Sequence, residues 1–430
     1  LNIWLDWLWR GSDALVSLFM QPFYYISILL IVLQYRRQVT LERKLFHVRL
    51  HSWVHQAWRT ILGGLAAGIG ISLLSAWLGM TLTFDGIICI WVVTLILLLF
   101  RVRYLCFAYS VGLLGIIQFG LSWFPNFHLQ GILDSSVQTI RELNIPALLA
   151  LVAMLHIAEA LLIRWQGASF AGPVFYEGKR GKVVGGYQMK NFWPVPLFLL
   201  VPAQTPGSLL PWTPFFGGEA WQGGFTFLAL PIVIGFTEMT VSQLPKVKAR
   251  LTSSRLLIYG IVLFILALSA SWWSPLMLVA ALAAFILHEG LVLYSKMDEQ
   301  NRSPIFVHPR RGLKVLAILP GSPAEELGIE AGEVLFKING LAVDNKEQLH
   351  RGLRMNPAFC KLEVLNLQGE SKFLQRAIYA GDHHQLGVIL VPDDDAPVAL
   401  RVKSLSLLEL LSPRRGATRH EDQRTISNDS

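Results

Sequence analysis

The stretch "ILHEGLVLYS", Ile286 to Ser295, sets a histidine beside a glutamate near the end of an apolar run. Inside a membrane helix, such a pair is the first half of a zinc-hydrolase motif. The second half is another histidine four residues after the first, because positions i and i+4 share a helix face and both imidazoles then close on one ion. Four residues after His288 stands Val292. Glu289 would be the general base, and an Asp from another membrane helix would complete the ligand set. No apolar span follows His288 to supply it. Elsewhere, "HIAEA" puts His156 and Glu159 on one helix face, and Glu238 lies near the end of another apolar stretch. Ionisable groups inside a membrane are functional candidates. An improvised metal site from His156, Glu159 and His288 is the minor reading; the expected one is that they pair with one another, or that His288 and Glu289 lie near the cytoplasmic interface. No Gly-x-Ser-x-Gly elbow, Ser/His/Asp set or phosphate-binding loop is present. The chain is therefore expected to carry no catalytic residue, no metal and no cofactor.

The elements around these residues follow from composition. Of 430 residues, 53% are hydrophobic and only 15% charged, and the apolar residues cluster in long runs over roughly the first 295. The first apolar run lacks a basic leader and a small-residue cleavage site, so no cleavable signal is expected. The three cysteines, Cys89, Cys106 and Cys360, are scattered without metal-ligand spacing, and no disulfide framework is expected. A membrane span needs about 20 apolar residues. Good candidates run near 14–34, 61–79, 105–124, 145–163, 256–272 and 275–294, with shorter ones at 86–100 and 224–240. A ninth, "FWPVPLFLLVPA" (Phe192 to Ala203), is interrupted by prolines and reads as a short span or a re-entrant piece. The expectation is an α-helical polytopic domain of about 8–9 spans over 1–295.

Orientation follows from Lys and Arg in the connections. Loops 35–60, 101–104, 164–191 and 243–255 carry 17 of them, whereas the alternate connections carry only Arg10 and Arg141. The basic loops are therefore expected in the cytoplasm, with the C-terminal module beside them. The net charge of +8 then reflects orientation and anionic lipid, and no nucleic-acid partner is required. Within the first basic loop, Phe46, Leu50, Trp53, Val54, Ala57 and Trp58 recur at helical spacing between Arg43, His47, Arg49, His51, His55 and Arg59. That pattern predicts an amphipathic helix near 42–60 on the lipid surface, with packing against the bundle as the alternative.

The composition after residue 295 is that of an ordinary globular module. In "PGSPAEELGIEAGEVLFKING" (Pro320 to Gly340), Pro320, Gly321 and Pro323 turn the chain off a strand. Ala324 to Leu327 form a short helix, Gly332 precedes a strand Val334 to Ile338, and Asn339-Gly340 makes a tight turn. A second helix is expected from about Asn345 to Met355. This run resembles the PDZ domain of bacteria, a small α+β fold, over about 305–393. The resemblance implies peptide binding by strand addition beside a helix, with a terminal carboxylate held on backbone N–H groups. Its binding loop is matched by "HQLGVILVPD" (His384 to Asp393), late in the module as in the circularly permuted bacterial version. The implied groove residues are Gln385, Leu386, Gly387, Val388, Ile389 and Leu390, facing the helix near His350. The competing reading is that Gly387 relieves a turn and Val388, Ile389 and Leu390 are core strand. After Asp393, "DDAPVAL" and "SLLELL" read as a candidate short helix, the final "SPRRGATRHEDQRTISNDS" is polar and aperiodic, and 394–430 is expected to be a mostly disordered tail.

Site-2-type membrane proteases also join membrane helices to PDZ modules, but the missing second histidine sets them aside to a degenerate or accessory role. A transporter-like bundle is a third class, and the internal repeat it would favour is absent. The segments "QPFYYISILLIVLQYRRQVTLERKLFHVRL" (Gln21 to Leu50) and "FYEGKRGKVVGGYQMKNFWPVPLF" (Phe175 to Phe198), with the terminal PDZ module, resemble the MinJ family of Gram-positive bacilli. That resemblance implies a non-enzymatic scaffold in cell-division site placement. It would link a polar and septal marker of the DivIVA type to the division inhibitor MinD, with other division proteins and membrane lipids as further partners. The implied location is the cell membrane, multi-pass, enriched at septum and poles.

Overall fold

The computed structural model describes residues 2–126, 128, 130–177, 182–202, 212–216, 225–356, 358–377 and 386–392. Gln385 and the expected tail, 394–430, lie outside them.

The chain opens with α1 (Asn2–Met20) and α2 (Pro22–Phe46), which meet at a 56° bend. Pro22 causes it: proline at the first helical position pushes Gln21 into extended backbone, φ −83° and ψ 117°. Next come α3 (Trp53–Leu78), α4 (Phe84–Phe100), α5 (Phe107–Ser122), α6 (Ile132–Glu142) and α7 (Ile145–Leu162), the last prolonged by a π-helical turn, Ile163–Gly167. Three strands follow, β1 (Gly172–Glu177), β2 (Val183–Pro202) and β3 (Phe225–Thr240), and then α8 (Pro245–Trp272) and α9 (Leu276–Asn301). Along α7, Leu148, Leu149, Ala150, Val152 and Ala153 are all buried. A helix apolar on every side belongs at the centre of a bundle, and here α3, α5, α8 and α9 pack around it. On the outside, Phe19, Leu29, Leu95, Phe100, Ile258, Ile265 and Ile286 are each more than half exposed. Apolar exposure on that scale fits a surface solvated by lipid.

Among the described residues, four helices are long and apolar enough to cross a membrane: Trp53–Leu78, Ile145–Gly167, Pro245–Trp272 and Leu276–Asn301. The bent pair of α1 and α2 makes up to five, and α4 and α5 are shorter apolar helices. This corrects the expected 8–9 spans. The 14–34 candidate is divided at Pro22, and the described residues of the 192–203 and 224–240 candidates, 192–202 and 225–240, are strand.

Those strands form the sheet β1-β2-β3, antiparallel throughout. The prolines that argued against a helix are what lets β2 lie against one. Successive strand residues alternate the direction of their N–H and C=O groups. Phe198 donates its N–H to the Ser72 hydroxyl on α3 at 2.9 Å, so residues 194 and 196 face α3 as well. Both are proline, and neither brings a donor that would be left unpaired in an apolar contact. On α3 the facing positions are Gly64 and Gly68, where a Cβ would overlap the carbonyl oxygens of Pro194 and Pro196. Glycine is required there for close approach.

The predicted amphipathic helix over 42–60 is also corrected. Its chain breaks at His47, φ 56°, and α3 starts afresh at Trp53. Buried Glu42 holds the break: it accepts the N–H groups of Leu50 and His51, each at 3.2 Å, and meets His51 Nδ1 at 2.7 Å.

The C-terminal module comprises β4 (Leu313–Ile318), α10 (Pro323–Glu326), β5 (Val334–Ile338), β6 (Leu341–Ala342), α11 (Lys346–Met355), β7 (Phe359–Leu365), β8 (Ser371–Ala377) and β9 (Val388–Leu390). Strand order is β8-β7-β5-β4-β9, with β6 hairpinned onto β5. Asn339 and Gly340 both take positive φ, 50° and 83°, as the tight turn required. The Asn339 side chain donates to Gly352 O at 2.9 Å and accepts from Lys361 N at 2.8 Å, fixing α11 and β7 to that turn. Val315, Leu335, Ile338, Leu353 and Val364 form the core.

Candidate functional site

The residues expected to bind a peptide form a loop and a short edge strand. Gly387 has φ 78°, and its carbonyl accepts from Leu319 N at 2.9 Å, while Leu386 O accepts from Ala324 N at 2.9 Å. A Cβ on Gly387 would overlap Ser322, so this position excludes side chains. β9 pairs with β4 on one side only, and among the described residues no strand occupies its other edge. Gly387 O and Val391 N both bond toward β4. By alternation, the backbone groups of Val388 and Leu390 face outward. The side chains divide differently: Leu386 is in the module's core with Val388 and Leu390 against it, whereas Ile389 and Val391 are buried toward the helical bundle. The structure thus brings Leu386, Gly387, Val388, Ile389 and Leu390 together. His350 is exposed on α11, whose buried face (Leu349, Gly352, Leu353) packs on the β5–β6 side. No hydrogen bond or ring contact joins His350 to β9 among the described residues.

The module does not hang from a free linker. Gly185 N in β2 donates to Phe306 O at 2.9 Å, and Ile305 N donates to Val241 O at 2.9 Å. Phe306 is fully buried edge-on to Tyr187, ring centroids 5.3 Å apart, and the Tyr187 hydroxyl donates to Leu316 O. The Lys314 ammonium donates to Ile305 O at 2.9 Å, and burial lowers its pKa from the ordinary lysine value. Leu316, Ala317, Ile389 and Val391 belong to the same apolar cluster as Tyr187 and Phe236 of the bundle's sheet.

Just above this junction lies a charge cluster that the sequence left dispersed. Lys248, fully buried, donates to Ser295 Oγ at 3.0 Å and faces Glu299 at 3.5 Å and Glu238 at 3.7 Å. Glu299 also accepts the N–H groups of Val241 and Ser242, at 2.7 and 2.9 Å, and Ser295 donates to Glu238 at 2.8 Å. The buried Lys248 ammonium bridges the two carboxylates and joins β3, α8 and α9. Glu238 was singled out in the sequence; Lys248 counted only as a loop cation. No local pattern pairs residues this far apart in the chain.

A second group sits higher in the bundle. The His156 and His288 rings stand 5.0 Å apart, and Cys106 Sγ lies 3.4 Å from His156 Nε2 and 3.8 Å from His288 Nε2. The sequence paired these histidines with Glu159; the structure puts Cys106 between them. Glu289 is taken up by Arg103 and by the Tyr109 hydroxyl, 2.8 Å away.

Known proteins give the architecture a context. A PDZ domain family model matches residues 314–365, from β4 through β7. The chain is 30% identical over 378 residues to "Cell division topological determinant MinJ" of Bacillus subtilis (strain 168), covering 87% of this chain and 94% of that protein. Proteins of Lacticaseibacillus paracasei and Lacticaseibacillus casei (strain BD-II), each called "Probable cell division topological determinant MinJ", are 27% identical over 263 residues, 57% of this chain and 66% of theirs. No solved structure matches the chain. An alignment of 378 residues is too long to lie within the bundle or the PDZ module alone, and on that similarity the chain belongs to the MinJ family.

Proposed function

We propose that this protein is a non-enzymatic, multi-pass membrane adaptor in cell-division site placement, linking a DivIVA-type polar and septal marker to a MinD-type division ATPase. The similarity to MinJ supports the process, and the open edge of β9 on a docked PDZ module is the observation that carries the adaptor role. An extended partner segment adds there as a strand, its main chain setting register and the neighbouring side chains setting selectivity.

The fold also supports a cytoplasmic PDZ module. The poorly basic connections meet at the end of the bundle away from it: Phe216 N donates to Leu78 O at 2.9 Å, Asn144 donates to Phe216 O at 3.2 Å, and Phe215 packs edge-on to Trp272. Basic segments lie toward the PDZ end, where Lys248 and Lys314 are engaged. Fluorescent fusions in dividing cells, with co-purification of the host's DivIVA-type and MinD-type proteins, test the proposal. Septal and polar enrichment with retention of both partners is expected. Uniform membrane fluorescence without either partner would overturn it.

A further inference from the structure

We propose that Cys106, His156 and His288 form a zinc-binding site that ties α5, α7 and α9 together. Their ligand atoms, one thiol sulfur and two Nε2 atoms, all lie within 4.8 Å of one another. Zinc takes Cys sulfur at about 2.3 Å and His nitrogen at about 2.0–2.1 Å in tetrahedral geometry, which sets the S···N separation at about 3.6 Å. The two Sγ–Nε2 distances, 3.4 and 3.8 Å, bracket that value. A thiol has one proton and can donate it to one of these imidazoles, whereas a metal ion uses all three groups at once.

The surroundings orient the ligands. His156 Nδ1 lies 2.7 Å from Val152 O, one turn back on its own helix, and so carries the proton that leaves Nε2 as a lone pair aimed at Cys106. Metal-binding histidines are held in this way through their other nitrogen. Tyr109 packs edge-on to His288 at 4.9 Å and Tyr259 to His156 at 5.2 Å, walling the rings. The Tyr259 hydroxyl is itself anchored to Ala284 O at 2.9 Å. Sulfur and imidazole donors select zinc over calcium or magnesium, which prefer oxygen. A zinc ion with one thiolate and two neutral imidazoles carries a single positive charge. Glu159 lies one turn beyond His156 and within electrostatic reach of Cys106.

Binding exchanges the thiol proton for the metal: the S–H bond breaks, a Zn–S bond forms, one proton leaves to solvent, and both imidazoles bind neutral. Affinity therefore rises about tenfold per pH unit while the free thiol is protonated. The open fourth position falls to a water or a carboxylate oxygen.

The test uses the full chain, purified in detergent without a metal-affinity tag. Zinc content is measured by elemental analysis, and Co2+ titration is followed by the thiolate-to-cobalt charge-transfer band. About one zinc per chain and a Co2+ thiolate band are expected for wild type and for the Cys89→Ser, Cys360→Ser double variant. Cys106→Ser and His288→Gln are expected to lose both. Melting of each variant without metal shows that it folds, and added zinc is expected to raise the melting temperature of wild type but not of Cys106→Ser. A folded wild-type protein that retains no zinc and gives no thiolate band with Co2+ would overturn the site, leaving a thiol–imidazole hydrogen-bonded core. A Co2+ band that survives Cys106→Ser would place metal elsewhere and overturn it equally.

Discussion

The backbone N–H of Gly185 donates to the carbonyl of Phe306 at 2.9 Å, and through this bond the PDZ module is attached to the strand that runs the height of the bundle. The same strand reaches Leu200, which bridges Thr81 at the far end. At about 3.3 Å per residue, those fifteen steps span about 50 Å. The open edge of β9 is therefore held at a fixed orientation to the membrane helices, because Ile389 and Val391 of the same segment are buried in the bundle's cluster.

Phe306→Ala is expected to release the module while leaving the bundle inserted. Truncating a fully buried phenylalanine costs about 3–5 kcal/mol, and here the loss falls on the junction. Limited proteolysis in micelles checks this: cleavage between residues 302 and 312 should accelerate, with membrane fractionation unchanged.

The contact between α3 and β2 is expected to reject any side chain. Gly64→Ala or Gly68→Ala forces a methyl into the carbonyls of Pro194 or Pro196, and overpacking costs about 1–3 kcal/mol or more. Gly70 faces open space, and Gly70→Ala gains about 1 kcal/mol of helix propensity. Thermal unfolding followed by size exclusion should separate the two classes.

The proposed strand addition at β9 would use the outward N–H of Leu390. Leu390→Pro removes that donor without touching the ladder to β4, whereas Leu390→Ala loses packing and keeps the donor. Partner capture is expected to fall with proline and persist with alanine, both domains remaining folded. Gly387→Asp is a poorer probe, since φ 78° and the overlap with Ser322 make it unfold the loop outright.

The charge cluster gives a stability test. Lys248→Met leaves buried Glu299 beside half-buried Glu238 without their cation, which costs about 3–5 kcal/mol. Adding Glu238→Gln is expected to recover part of the melting temperature, because one of the two carboxylates is then neutral.

Topology is read by labelling. With Cys89 and Cys360 replaced by Ser, an impermeant maleimide applied to intact cells is expected to reach Thr213→Cys and to miss Lys182→Cys. Labelling at Lys182→Cys would reverse the proposed orientation.

Elements whose causes are local were legible in the chain alone. Asn339-Gly340 specified its turn, Asn345 capped the helix that follows, and Val334 to Ile338 made its strand. The apolar run from Ile145 made a central helix because it has no polar face. Tertiary structure decided whatever depends on a partner far along the chain. An apolar, proline-bearing run such as 192–203 has no intrinsic preference between a re-entrant segment and a strand; the glycines of α3 and the pairing with β3 settled it. Likewise, Glu42 broke a helix by capturing two N–H groups that lie beyond the next turn. Cys106 at the cap of α5, His156 on α7 and His288 on α9 stand 50 and 132 residues apart. No spacing rule reaches across such distances, because each helix fixes the direction of its own side chains and only packing brings three such directions to one point.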